Sequence, residues 1–456
     1  MRKTFLFIFS LGLSLNLFAQ DTNVPFKMSL KQAINYALEY NRNAVNASRD
    51  IDAALKQKWE TTATGLPQIS ANIDYQYFIQ QPVQVVPAEF FGGEPGEFQE
   101  VVFGTEQQVN AFARLDQKIF DGTYLVALQS AKVFLDISKN AKTKTDLEVR
   151  KAVINAYGNV LLAEESIEIL QRNIQVLEKN LFETKKIYEN GLEEEESVEQ
   201  LQITLSGVRS NLNNTERLKD IAYQMFNFTL GLDVYNNTIL TDNLESLAEQ
   251  NRALELLEVQ SNPASNIDYI IAENETKVNE LKVKLEQSKA LPQLNAFING
   301  GYQAFENDFT FLNNDQEWFG SSLVGFNLSI PIFSSGMRSA STQRAKINLE
   351  KSLTELEETE QRLKLEIESA KSDYQFALED YENKKDNLAL AERIEQKNQT
   401  KFFEGISGSF ELRQAQTQLY NAQQELLKAM LDVINSKAEL ETILNTPITK
   451  LNSQSK

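Results

Sequence analysis

The sequence predicts a mainly α-helical protein with a smaller β component, in which long coiled-coil helices alternate with four strands of membrane-crossing length. Three observations predict this fold class: an internal repeat, a sustained 3.5-residue apolar repeat, and paired segments of alternating polarity at matched places in both halves. The chain has 456 residues, more than one compact core usually contains. We therefore expect an extended architecture built from two similar halves.

The repeat is clearest in two stretches, YENGLEEEESVEQLQITL at 188–205 and FFEGISGSFELRQAQTQL at 402–419, which are offset by 214 residues. Each has an aromatic residue before a glycine, a short polar turn and then a helical pattern. The apolar positions of both helical patterns step by 3, 4, 3 and 4: Val198, Leu201, Leu205, Val208 and Leu212 correspond to Leu412, Ala415, Leu419, Ala422 and Leu426. An internal duplication is the simplest explanation.

The helices follow from apolar periodicity. The run from Leu349 to Tyr381 keeps a 3.5-residue repeat with one polar exception at Glu360, which indicates coiled-coil packing. In each half we expect a first helix (29–64 and 264–289), a long helix (about 122–190 and 335–402) and a return helix (about 198–230 and 409–445). About 70 helical residues span on the order of 100 Å.

Four segments of alternating polarity predict strands at about 68–78, 109–119, 293–303 and 322–331. Each has about the length that a tilted strand needs to cross a bilayer. The first pair encloses a Gly- and Pro-rich loop. One face of each strand is apolar: Ile69, Ala71, Ile73, Tyr75 and Tyr77; Val109, Ala111, Ala113, Leu115 and Ile119; Leu294, Ala296, Ile298 and Tyr302; Val324, Phe326, Leu328 and Ile330.

Strand edges cannot remain unpaired in lipid. Four strands are too few to close a barrel, for which about eight is the practical minimum. The chain is therefore expected to oligomerise, and three copies would supply twelve strands and twelve side-by-side helices. At about 10 Å spacing these helices form a ring roughly 38 Å across with about 28 Å clear inside.

Composition and the N-terminus restrict the function. Residues 1–19 (Arg2 and Lys3, then an apolar run to Phe18) are predicted to be a cleaved secretory signal, and no cysteine follows to carry a lipid. A net charge of −19 argues against nucleic acid as a partner. The chain has no Cys and no His, which excludes disulfides and removes the commonest metal ligand and general base. We predict no cofactor, no bound metal and no enzymatic activity.

The order of elements resembles the TolC family of outer-membrane efflux channels over the whole chain after the signal. The stretches that carry this resemblance are MSLKQAINYALEYN, GLPQ, KIFDG, YENGL, SNPAS, ALPQ, PIFSSG and FFEGISGSFELRQAQTQLYNAQQEL. The resemblance implies a homotrimer with a twelve-stranded barrel in outer-membrane lipid and a helical tunnel in the periplasm. Its periplasmic tip would bind a membrane-fusion adaptor and, through it, an inner-membrane pump. The implied parts are repeats over 20–230 and 263–446, an equatorial segment at 231–262 and a tail at 447–456.

The same resemblance assigns candidate site residues at the periplasmic tip. Gly191 and Leu192, with Gly405 and Ile406, would form the turns that dock the adaptor. The family often has carboxylates six and nine residues after the second glycine; Glu411 matches the first position, whereas Gln414 departs from the second. The run Glu193, Glu194, Glu195 and Glu196 is an alternative source of negative charge at the entrance, although acids at a helix start also suit the helix dipole.

Two other function classes remain as alternatives to an exit duct. A structural or adhesive coiled-coil envelope protein without a pore would not need paired amphipathic strands. An envelope hydrolase would need clustered catalytic groups, and the abundant carboxylates lie instead in helical charge runs. The sequence does not discriminate among drugs, metals, lipids and proteins as the exported material.

Overall fold

A computed structural model describes residues 26–259 and 262–445. The predicted signal, 1–19, and the predicted tail, 447–456, lie outside the described residues. The chain folds as two compact units. Unit 1 comprises the described parts of Met1–Asn41, Arg150–Ala253 and Ala377–Asn435, and unit 2 comprises those of Arg42–Val149, Leu254–Phe376 and Ser436–Lys456.

Helices make up most of the described chain. Two of them have 68 and 67 residues, so the predicted long helices are confirmed. Short 3₁₀ turns occur at Ala88–Phe91 and Pro263–Ser265. The α-helices are α1 (Leu30–Tyr40), α2 (Arg42–Ala63), α3 (Gly122–Glu189), α4 (Glu195–Leu230), α5 (Leu244–Gln250), α6 (Glu255–Glu258), α7 (Ile267–Ser288), α8 (Met337–Phe403) and α9 (Ser409–Ile443).

Within the described part of the chain, eight strands accompany the helices and form three sheets. The four predicted strands are confirmed with shifted ends, and four short strands were not predicted. The strands are β1 (Phe26–Met28), β2 (Gln68–Tyr77), β3 (Val83–Pro87), β4 (Phe98–Val102), β5 (Gln107–Asp121), β6 (Thr238–Leu240), β7 (Gln293–Glu306) and β8 (Phe319–Ser329).

The buried stripe of α8 follows the predicted 3.5-residue repeat. Leu363, Ile367, Ala370, Tyr374, Ala377 and Tyr381 are all at most 5% exposed. The beginning of the predicted run differs, because Leu353 is 49% exposed within one copy of the chain. The coiled-coil prediction is therefore confirmed for the second part of this run.

The first helix of each half differs from its predicted bounds. The helix expected at 29–64 is interrupted at Asn41, which leaves the helical conformation (φ −59°, ψ 134°) and donates from Nδ2 to the carbonyl of Thr229 at 2.7 Å. The helix expected at 264–289 begins only at Ile267. Its N-cap, Asn266, donates from Nδ2 to the carbonyl of Ile443, also at 2.7 Å. In each half, an asparagine thus binds the end of the return helix of the same half.

The four long strands form one antiparallel sheet in the order β2-β5-β7-β8. Its register aligns Tyr75 with Val109 and Val109 with Ala304. Paired residues of an antiparallel sheet point to the same side. The register therefore places the predicted apolar faces of all four strands on the same face of the sheet, while Asn72, Asn110 and their polar neighbours lie on the other face.

Two details of the strands correct the prediction. A bulge between Lys118 and Phe120 pairs Phe120 with Leu294, so Phe120 rather than Ile119 continues the apolar face. β8 ends at Ser329 instead of 331. This end is consistent with Pro331, which cannot donate a backbone hydrogen bond. In addition, the Gly- and Pro-rich loop contains a hairpin, because β3 pairs with β4 from Val83–Val102 to Pro87–Phe98.

A small parallel sheet that the sequence did not predict joins the start of the described chain to the segment after α4. β1 pairs with β6, joining Phe26 to Thr238 and Met28 to Leu240. Close by, Asp242 accepts hydrogen bonds from the backbone of Leu30 at 2.7 Å and from the hydroxyl of Tyr157 at 2.9 Å. These contacts connect the start of the described chain to the segment at 231–259.

Helix α5 of this segment is bound to α8 within unit 1. Glu249 accepts hydrogen bonds from Lys385, Arg252 and Tyr381, each at 2.9 Å. These donors lower the pKa of Glu249 to about 2, the lysine having the largest effect. None of the described helices is both long enough and apolar enough to cross a bilayer.

Candidate functional site

The turns at the ends of the two long helices have the same backbone geometry. At each turn a glycine has a left-handed φ, +77° at Gly191 and +70° at Gly405. The amide of Gly191 donates to the carbonyl of Tyr188 at 2.8 Å, and the amide of Leu192 donates to that of Ile187 at 3.1 Å. This pair of bonds defines a Schellman motif, which ends a helix and favours glycine at the left-handed position.

The second turn repeats the first. Gly405 donates to the carbonyl of Phe402 at 3.0 Å and Ile406 donates to that of Lys401 at 2.8 Å. The residues after the glycines are apolar but exposed, with 79% exposure for Leu192 and 68% for Ile406. Apart from the adjacent residues, no atom of the described chain lies within 4 Å of where a Cβ would stand on either glycine. Their need for glycine is therefore a matter of backbone conformation, not of space.

Side-chain contacts bring the two turns together within unit 1. The hydroxyl oxygens of Ser197 and Ser409 are 2.7 Å apart, which joins the start of α4 to the start of α9. One turn further along, the Arg413 guanidinium donates to the side-chain oxygen of Gln200. The return helices therefore begin side by side and run in the same direction from this end.

The predicted entrance carboxylates lie around this junction. Glu193 accepts from the hydroxyl of Ser197 at 2.5 Å, and Glu196 accepts from Gln200 at 2.6 Å. Glu194 is the N-cap of α4 without a side-chain capping bond, and Glu195 lies in the first turn. Glu411 is exposed in the first turn of α9. All five lie at or just before a helix start, where negative side chains interact favourably with the helix dipole.

A groove between α8 and α9 adjoins these turns and was missed by the sequence analysis. It has a volume of about 880 Å³, and its lining includes Leu390, Ile394, Phe410 and Arg413. Phe410 is 61% exposed. The available signal was the spacing of Leu390 and Ile394, an i, i+4 apolar pair that lies outside the buried stripe of α8.

Polar side chains are also buried among the helices near the turns. Asn180 of α3 and Gln416 of α9 are at most 1% exposed. Burial raises the pKa of Glu395, and burial together with Glu395 raises the pKa of Tyr420. No cluster of three or more potential metal-binding His, Cys, Asp or Glu side chains occurs within residues 26–259 and 262–445.

Comparison with known proteins places this architecture in a family. A family profile described as outer membrane efflux protein matches residues 33–232 and 271–446. Outer membrane protein TolC of Vibrio cholerae serotype O1 is 22% identical over 421 residues, covering 92% of this chain and 91% of TolC.

Solved structures have the same fold at low sequence identity. CusC superposes with a TM-score of 0.72 at 18% identity, covering 92% of this chain and 93% of CusC. The outer membrane channel CmeC of Campylobacter jejuni superposes with a TM-score of 0.70 at 16% identity, covering 93% and 88% of the two chains. The resemblance to TolC-family channels is confirmed, and this is a family of channel proteins, not enzymes. The chain belongs to the outer membrane efflux protein family.

Proposed function

We propose that three copies of this chain form an outer-membrane channel that serves as the exit duct of a tripartite efflux or type I secretion system. The observation that carries this proposal is the four-stranded sheet. One face is apolar, with Ile73, Val324 and Phe326 each at least 68% exposed, and the outer strands β2 and β8 each have one unpaired edge among the described residues. Such a sheet is stable in lipid only if other copies complete it.

Three copies would join edge to edge into a closed barrel of twelve strands. The helices that adjoin the strands support a continuation of this barrel as a tunnel. α2 leads into β2, β5 leads into α3, α7 leads into β7 and β8 leads into α8. The sheet order supports the order α2, α3, α7 and α8 for the adjoining helices, and three copies would supply twelve helices for a periplasmic tunnel.

The glycine turns are the proposed docking surface for a periplasmic membrane-fusion adaptor, which connects the duct to an inner-membrane pump. Exposed Leu192 and Ile406 offer apolar contacts at the tip, and the groove between α8 and α9 offers apolar side chains among polar ones beside them. Apolar patches rimmed by polar residues are typical of protein-binding surfaces. Glu411, with Glu193–Glu196 in a secondary role, would give the entrance a preference for cations.

Cysteine cross-linking tests the trimer directly, because the chain contains no native cysteine. Asn72→Cys on β2 would be combined in turn with a cysteine at 321, 323, 325 or 327 on β8. We expect at least one pair to give a disulfide-linked trimer in the outer-membrane fraction, whereas each single variant gives monomers. Recovery of a soluble periplasmic monomer, or open-ended oligomers beyond three copies, would contradict the proposal.

A structural or adhesive coiled-coil protein is the alternative, and planar-bilayer conductance discriminates it. If the chain forms the proposed duct, the purified trimer should give discrete single-channel currents in a planar bilayer. A trimer that never conducts, even after an adaptor is added, favours the structural protein. Because cross-linking and conductance are separate measurements, assembly and transport are tested independently.

A further inference from the structure

An apolar groove crosses three neighbouring helices of unit 2, α2, α3 and α7. Its wall includes Phe134 on α3 and Val278, Leu281 and Leu285 on α7, and its volume is about 330 Å³. Small-molecule sites in proteins are mostly apolar and begin at roughly this size. The groove lies far along the chain from the predicted tip residues and belongs to no site described above.

The groove arises from small side chains between helices that are held together on either side of it. At the sheet end, the Tyr124 hydroxyl donates to the carbonyl of Thr62 at 3.0 Å. At the other end, Lys144 of α3 and Asp268 of α7 form an ion pair at 2.7 Å. Between these contacts the lining residues of α2 and α3 include Ala54, Ala127, Ser130 and Ala131. The space therefore comes from missing side-chain volume, not from helices that separate.

The charged groups on the lining of the groove are all basic. Of the described residues that line it, only Lys58 of α2 and Lys282 of α7 are ionisable. No ion pair involves Lys58 among residues 26–259 and 262–445. The Lys282 ammonium donates to the side-chain oxygen of Asn279 at 3.1 Å and is 4.0 Å from Glu275. In a chain with 64 acidic and 45 basic residues, both charged side chains that line this apolar groove are thus basic.

We propose that the groove binds a single-chain amphiphile with an anionic headgroup, of the fatty carboxylate type. The alkyl chain would lie against Phe134, Leu281 and Leu285, and the carboxylate would lie between Lys58 and Lys282. At roughly 30 Å³ for a group the size of one water molecule, the groove holds about ten methylenes. This volume fits one chain of a soluble amphiphile rather than the two chains of a membrane phospholipid.

The proposal needs only that unit 2 is folded, so it does not rest on the proposed export function. The probe is 11-bromoundecanoate, whose bromine quenches tryptophan fluorescence at contact. The reporter is Phe134→Trp in the full-length protein, held in amphipol, with both native tryptophans replaced (Trp59→Phe and Trp318→Phe). In a second variant the only tryptophan is Phe182→Trp, at an exposed position on α3 outside the groove.

We expect saturable quenching at Phe134→Trp and none at Phe182→Trp. The test variant is Lys58→Glu with Lys282→Glu, which reverses both charges near the headgroup. Its affinity for 11-bromoundecanoate should fall by about tenfold or more, because each pair of unit charges at about 4 Å contributes about 1 kcal/mol in water. The matched control is Lys56→Glu with Lys284→Glu, which makes the same charge change on the same two helices outside the groove.

The control variant should bind 11-bromoundecanoate with an affinity within about twofold of that of the wild type. Uncharged 11-bromoundecanol should bind to the wild type more weakly than the carboxylate. Far-UV circular dichroism establishes that each variant is folded, and Lys58→Gln with Lys282→Gln replaces the charge reversal if it is not. Absence of saturable quenching, equal quenching at both reporters, or equal loss in the test and control variants would overturn the proposal.

Discussion

Substituting Gly231 with alanine should open the junction between α1 and α4. Gly231 follows the last residue of α4 with φ +87°. A Cβ there would overlap the carbonyl oxygen of Tyr40 and lie 2.9 Å from its carbon, and both are backbone atoms that cannot rotate away. The left-handed conformation costs a non-glycine residue about 1–2 kcal/mol. Forcing an extra carbon into packed surroundings adds about 1–3 kcal/mol.

The two costs together are about 2–5 kcal/mol, which corresponds to about 30-fold to about 5,000-fold more frequent local opening. Hydrogen exchange followed by mass spectrometry measures this opening peptide by peptide. Faster exchange is expected in peptides covering 30–41 and 226–232, because Asn41 binds Thr229 across the same junction.

Gly405→Ala is the matched control, since its φ is also left-handed but no atom lies within 4 Å of the added carbon. It should cost only the conformational part, about 1–2 kcal/mol, and only near the tip. The difference between the two variants isolates the steric overlap. If Gly231→Ala keeps protection within about threefold of the wild type across both peptides, the close approach of Tyr40 does not contribute to the stability of this junction.

Three further results are expected. Gly405→Val should abolish export while the trimer still assembles, because it distorts only the tip. The control variant Gly207→Val should still export, because Gly207 lies in mid-helix with open space around it. Glu411→Gln should shift the reversal potential of a reconstituted channel in a salt gradient, whereas Glu366→Gln should not. Glu249 connects α5 to α8, and its pKa is lowered to about 2. This contact should therefore persist above about pH 4.5 and weaken as the pH falls towards 2. Hydrogen exchange in peptides of α5 measures the change.

The long helices and their turns were predictable because their determinants are local. A 3.5-residue repeat specifies a coiled-coil stripe, and a left-handed helix end requires glycine, so Gly191 and Gly405 could be found from spacing alone. The roles of the tip residues stay predictions, since they depend on partners. Which side chains share a face of the sheet was also implicit in the sequence, because a one-residue slip of any strand would move its apolar side chains to the polar face.

Features that depend on distant parts of the chain could not be predicted. The break at Asn41 depends on the carbonyl of Thr229, which is 188 residues away. β1 and β6 have three residues each, too few to show a period. The groove between α2, α3 and α7 arises where three separate helices each present small side chains, and no single helix shows this pattern on its own.

The two asparagine bonds also bear on the ancestry of the chain. Asn41 binds Thr229 inside the first half, and Asn266 binds Ile443 inside the second; the two acceptors are 214 residues apart, the same offset as the glycine turns. Each half also pairs its own strands, β2 with β5 and β7 with β8. A gene of half this length would therefore encode one copy of each of these features, and under the proposed assembly six such halves would supply the same twelve strands as three copies of the fused chain. After fusion the two halves could diverge in sequence. In the proposed trimer the first and second halves would alternate around the ring, so equivalent positions in neighbouring halves could carry different side chains.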